Sequence, residues 1–159
     1  MKFRFRFSAT LLLCFALAAS DRIKSGPVPR PQNAQEATKL NQRGVEQLQK
    51  KEYEAAIASF REALQQKPEF PEALDNLGKA LEASGKDGEA IVDFDKAIQL
   101  APQNATVYAD KGMALFHEGK YEEATAAYRQ ALEHHKEFSE AQNGLGGALL
   151  HLGKTDEAI

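Results

Sequence analysis

The sequence predicts an all-α fold, a right-handed α-solenoid of helix-turn-helix repeats. Gly44, Gly78, Gly112 and Gly146 stand at equal intervals along the chain. Ala56, Ala90, Ala124 and Ala158 follow them, each at the same offset from its glycine. Around these columns, apolar residues recur at the three- and four-residue spacing of a helix face. Small residues at two fixed points of a period of about 34 residues mark stacked helical hairpins, which share a core between neighbours and offer a surface instead of a catalytic cavity.

The chain opens differently. Lys2, Arg4 and Arg6 alternate with Phe3, Phe5 and Phe7, and an uncharged run then leads to Ala18, Ala19 and Ser20. The uncharged residues 7–20 make a helix of about 21 Å against a hydrocarbon core of about 30 Å, too short to span comfortably. Residues 1–20 therefore read as a secretory signal peptide, with Ala18 and Ser20 suited to cleavage before Asp21. An uncleaved anchor is the alternative. Cys14 is the sole cysteine, and the bulky Leu13 before it disfavours a lipid-attachment signal. Residues 21–36 read as a tether, because Pro27, Pro29 and Pro31 at alternate positions favour extended chain over helix.

Four rows follow: 37–70, 71–104, 105–138 and a partial 139–159. In the second row Leu74, Leu77 and Leu81 share the face of a helix that ends near Gly85. Gly85, Gly119 and Gly153 recur at that place, where glycine can take the left-handed conformation that closes a helix. Lys51 occupies the place in the first row, so that turn is expected to be strained or differently built. The second helices carry Ala56, Ile57, Phe60, Ala63 and Leu64, then Ala90, Ile91, Phe94, Ala97 and Ile98, then Ala124, Tyr128, Ala131 and Leu132. Phe60, Phe94 and Tyr128 are expected to fill the gap toward the following row, and Pro68 and Pro102 to stop the second helices. In the fourth row, Leu145, Leu149 and Leu152 are expected to lack a covering helix.

Leu74, Leu77, Gly78, Leu81, Ala90, Phe94, Ala97 and Pro102 resemble the tetratricopeptide repeat family, and the resemblance covers residues 37–159. Departures are local: Arg43 and Lys111 replace the leucine, Gln47 the aliphatic residue and Lys136 the proline. The resemblance implies that the first helix of each repeat lines the concave side. Candidate peptide-binding residues there are the polar column Gln42, Asn76 and Asp110, able to hydrogen-bond an extended backbone, and the apolar set Val45, Leu48, Met113, Phe116 and Leu150. Glu72, Asp75, Glu82, Asp110 and Glu140 surround them against Lys79 alone, which predicts an apolar floor with an acidic rim. Some members of the family clamp a chaperone's terminal carboxylate with lysine, arginine and asparagine. Here only Asn76 fits, the other places holding Asn41, Val45, Thr106 and Asp110.

The chain carries a formal charge of −3 at pH 7, and −6 once Lys2, Arg4 and Arg6 leave with the leader. No basic stripe supports nucleic-acid binding. No catalytic constellation, phosphate-cradling loop or cofactor motif appears, so no enzyme activity and no cofactor are expected. His117 and His151 are one row apart, too far to read as a metal pair, and no metal is expected. His134 and His135 read as partners of their helix dipole. Asn104 before Ala105 and Thr106 reads as a helix cap. The expected function is a non-catalytic, exported protein-interaction scaffold, periplasmic or secreted, holding a neutral to basic protein or peptide segment, with no membrane partner after signal cleavage. The alternative is the amino-terminal docking arm of a longer enzyme or secretion component, because Ile159 falls inside a helix pattern.

Overall fold

A computed structural model of the chain describes residues 31–154 and Asp156. The expected leader, most of the expected tether and Ala158 lie outside these residues. Among the described residues seven α-helices follow in order: α1 (Pro31–Gln49), α2 (Tyr53–Gln66), α3 (Pro71–Ala83), α4 (Asp87–Leu100), α5 (Ala105–His117), α6 (Tyr121–His134) and α7 (Ser139–His151). Among the same residues there is no strand, and no helix is long and apolar enough to cross a membrane. The chain is an all-α solenoid of helical hairpins.

The start of α1 corrects the tether. Residues 31–36 are helical, not extended as the proline pattern implied. Pro31 is the first helical residue, where its missing N–H removes no bond because the first four N–H groups have no intrahelical acceptor.

Each hairpin closes through the same geometry. Gly85, Gly119 and Gly153 have φ of 77°, 74° and 71°, and Lys51 joins them at 62°. The N–H one residue further on bonds back to the last turn in every row: Glu52 to Gln47, Lys86 to Leu81, Lys120 to Leu115 and Lys154 to Leu149, all at 2.9 Å. The first turn is therefore built like the others, with a lysine held in the left-handed region at a cost of about 1 kcal/mol. The second helices end in register whether or not a proline follows. α2, α4 and α6 stop at Gln66, Leu100 and His134, although Lys136 replaces the proline in the third row. Asn104 caps α5 as expected, its side chain accepting from the Thr106 N–H at 3.2 Å.

The glycine column is explained by the aromatic column on the second helix of the same row. A Cβ added at Gly44 would lie 2.5 Å from the Phe60 ring, at Gly78 2.5 Å from the Phe94 ring, and at Gly112 2.8 Å from the Tyr128 ring. Each ring thus packs against the glycine of its own row, and Phe60 and Phe94 also share one core with Leu74, Leu77 and Val107 of the following rows, as expected. Tyr128 likewise reaches the next row, since its ring also stands where a Cβ at Gly144 would be. Phe60 and Phe94 are fully buried among Leu74, Leu77, Leu81 and Val107.

Helices pack within hairpins and then between successive hairpins. α1 also meets α3, α3 meets α5, and α5 meets α7, whereas the even-numbered helices do not touch one another among the described residues. The array therefore curves toward its odd-numbered helices, which form the inner layer. Leu149 is only 1% exposed, against the expectation of an uncovered face, and α7 packs on both α5 and α6. Leu145 is partly buried against the core cluster that includes Leu115, Tyr128 and Ala148.

Candidate functional site

The inner layer carries the polar column on α1, α3 and α5, and two of its members, Asn76 and Asp110, pair with side chains of the neighbouring row. Asn76 donates from Nδ2 to Asn41 Oδ1 at 3.1 Å, tying α3 to α1. Lys79 ties α3 to α5, its ammonium lying 2.9 Å from Asp75 Oδ2 and 3.1 Å from Asp110 Oδ2. The Asp75 contact is a hydrogen bond, whereas Asp110 Oδ2 is at ion-pair distance but off the hydrogen-bond direction. Gln42 is exposed and donates within its own helix to Glu46 at 3.5 Å. The fourth place of this column is Gly144, filled by the Tyr128 ring.

Electrostatics follow from this crowding. Burial pushes the Asp110 carboxyl up to about 6; Lys79 opposes the shift and Asp75 adds to it. Burial likewise lifts Glu82 to about 7; His117 and Lys79 oppose it, while Asp110 and Asp87 add to it. Burial alone would lower the Lys79 pKa, but Asp110 and Asp75 outweigh it and the pKa rises. Burial raises the Tyr128 hydroxyl to about 12, with the charges of Glu82 and Asp110 adding to it. One cation thus stands among several carboxylates in a partly dry face, a field suited to positive charge on a ligand.

The expected apolar set divides. Met113 is 41% exposed and Leu150 58% exposed, so both remain available. Val45 and Leu48 instead pack against the core formed by Phe60, Leu77 and their neighbours. Phe116 is half-buried in an aromatic cluster, edge-on to Tyr121 at 5.3 Å and to His151 at 5.1 Å between ring centroids. The reason is that the second helix of each hairpin crosses beneath these positions, which a column-by-column reading cannot see.

Three participants were not legible as such. Asn41 sits one residue before the polar column and becomes the partner of Asn76. Tyr128 fills the gap toward the following row as expected, but its reach onto the inner layer depends on the space at Gly144 and is visible only in the structure. His117 does not approach His151, which stacks on Tyr121 at 4.5 Å. It faces Glu82 and Asp87 instead, with Nδ1 3.4 Å and 3.8 Å from their oxygens. His134 closes α6 in its last turn and stacks on Tyr108 at 5.3 Å.

Comparison with known proteins agrees with this architecture. Tetratricopeptide repeat family models match residues 44–85, 71–104 and 109–159. No curated protein sequence matches the chain. Among solved structures, the first TPR domain of Spaghetti (RPAP3), bound to the HSP90 peptide SRMEEVD, is 27% identical with a TM-score of 0.74, over 76% of this chain and 95% of that one. The Sgt2 TPR domain from Aspergillus fumigatus is 26% identical with a TM-score of 0.73, over 83% and 88%. The pilF protein of Pseudomonas aeruginosa is 25% identical with a TM-score of 0.71, over 80% and 58%. With the hairpin closures, the glycine and aromatic columns and all three family matches in agreement, the chain belongs to the tetratricopeptide repeat family.

Proposed function

We propose that this protein is a non-catalytic, exported interaction scaffold that holds a neutral to basic peptide segment against its inner layer of helices. The observation that carries the reading is the cluster of Asp75, Asp110 and Glu82 around Lys79, next to the exposed Met113. Carboxylates already crowded in a partly buried face gain from a ligand cation, and an exposed methionine gives a docked side chain an adaptable apolar contact. The RPAP3 domain provides the precedent of a similar fold occupied by a peptide. Its peptide, SRMEEVD, is acidic toward its end, whereas Asp110 here occupies a place where a carboxylate ligand wants a cation. The expected ligand therefore differs in charge.

A photo-crosslinking residue at Met113 tests the face, with Val92 on α4 as the control on an outer helix. Capture of a protein from Met113 and not from Val92 supports the reading, and equal capture from both counts against it. Fluorescence-anisotropy titration then compares a lysine-rich peptide with SRMEEVD, and tighter binding of the acidic peptide would overturn the charge assignment. Export is tested by fractionating cells that express the full chain and sequencing the amino terminus. A product that starts at Asp21 outside the cytoplasm supports it, and one that keeps Met1 inside does not.

A further inference from the structure

We propose that Glu82, Asp87 and His117 form a binding site for a divalent transition-metal cation of the zinc class. The three side chains come from the last turn of α3, the first residue of α4 and the last residue of α5. One ligand atom from each lies within 4.8 Å of the other two. His117 Nδ1 is 3.4 Å from Glu82 Oε1 and 3.8 Å from Asp87 Oδ1. Two donors bound to zinc at about 2.0–2.1 Å and at a tetrahedral angle are about 3.4 Å apart. The observed separations are thus close to those the ion imposes, and small side-chain rotations would close the remainder.

The second observation is the state of Asp87. Its Oδ1 is buried and has no hydrogen-bond donor. A buried, unpaired carboxylate oxygen is costly and calls for an explanation. The His117 nitrogen, 3.8 Å away, is too far to hydrogen-bond it, whereas a cation between the two satisfies both. The charges facing Glu82 are Asp87, Asp110, Lys79 and His117, a surplus of carboxylates that favours a dication.

The donor set selects the class of ion. One imidazole and two carboxylates from separate helices suit zinc and related transition metals, whereas magnesium and calcium prefer oxygen donors in larger number. His117 is half exposed, so a fourth position faces solvent and can take water or a donor from a partner. Bound there, the ion clips the turn after α3 to the end of α5, joining the second and third rows. Glu82 also belongs to the acidic cluster of the peptide-binding reading, whereas Asp87 and His117 do not, so variants at those two residues test the metal site separately from that reading.

The test is isothermal titration of the full chain with zinc chloride and, separately, magnesium chloride. The expected result is one zinc per chain with little magnesium binding, and a higher melting midpoint with zinc. His117→Ala and Asp87→Asn are expected to weaken zinc at least tenfold, while His151→Ala and Cys14→Ser leave it unchanged. Circular dichroism confirms that the variants fold, which the half-exposed position of His117 favours. Absence of saturable zinc binding, unchanged affinity in His117→Ala, or an equal loss in His151→Ala or Cys14→Ser would each overturn the proposal.

Discussion

Lys79 on α3 bridges to Asp110 on α5 at 3.1 Å while holding Asp75 of its own helix at 2.9 Å. A single ammonium thus serves two carboxylates in adjacent rows. Asp110 is 16% exposed, and its carboxyl is lifted from 3.8 to about 6, mainly by burial.

That shift has a defined sign. A raised carboxyl pKa means the folded state holds its proton more tightly than the unfolded chain, so stability from this group is full below pH 3.8 and is lost as pH rises through about 6. Asp110→Asn removes the buried charge and leaves Lys79 its Asp75 partner. The variant is expected to be more stable than the parent by about 1 kcal/mol at pH 7.5. The gain should shrink toward zero at pH 4. Urea denaturation at both pH values measures this; a variant less stable at pH 7.5 would mean that the pairing with Lys79 outweighs the burial of Asp110.

Lys51 shares the left-handed backbone of three glycines, with φ of 62° and an exposed side chain. Lys51→Gly relieves that conformation at a place where the chain must turn. The variant is expected to gain about 1 kcal/mol, less whatever the glycine adds to unfolded-state entropy. Chemical denaturation checks the sign, and a loss of stability would show that the lysine side chain contributes more than the strain it causes.

The Phe94 ring stands 2.5 Å from the Cβ position of Gly78, and the ring is fully buried. Gly78→Ala must therefore displace a core aromatic and is expected to cost about 2–3 kcal/mol, despite the better helix propensity of alanine. Pairing it with Phe94→Leu frees the space, so the double variant should lose less than the sum of the single losses. Additive losses in that cycle would separate the glycine from the ring.

Met113 and Phe116 are one turn apart on α5 and differ in role. Met113→Ala is expected to lower peptide or partner affinity with less than about 0.5 kcal/mol of stability lost, as for an exposed side chain. Phe116→Ala opens the cluster with Tyr121 and His151 and is expected to cost about 1–3 kcal/mol, so a fall in its binding carries a folding component. Melting curves measured beside the binding isotherms distinguish the two.

The sequence by itself determined the repeat. Equally spaced glycines and alanines, a helical apolar stripe in each row and a glycine after most of the first helices fix the helices and their closures, because these features act within one hairpin and depend on local geometry. Tertiary structure decided which side chains meet. That Asn76 finds Asn41, that Lys79 reaches Asp110, that His117 turns to Glu82 and Asp87 instead of His151, and that Val45 and Leu48 are drawn into the core while Met113 stays outside all depend on the rotation from one row to the next. Small changes in that rotation move a side-chain tip by several ångströms while leaving every helix and every column in place. The glycine column shows both levels: its period was legible as a packing signal, but its partner, the aromatic ring of the same row, was settled only when the two helices crossed.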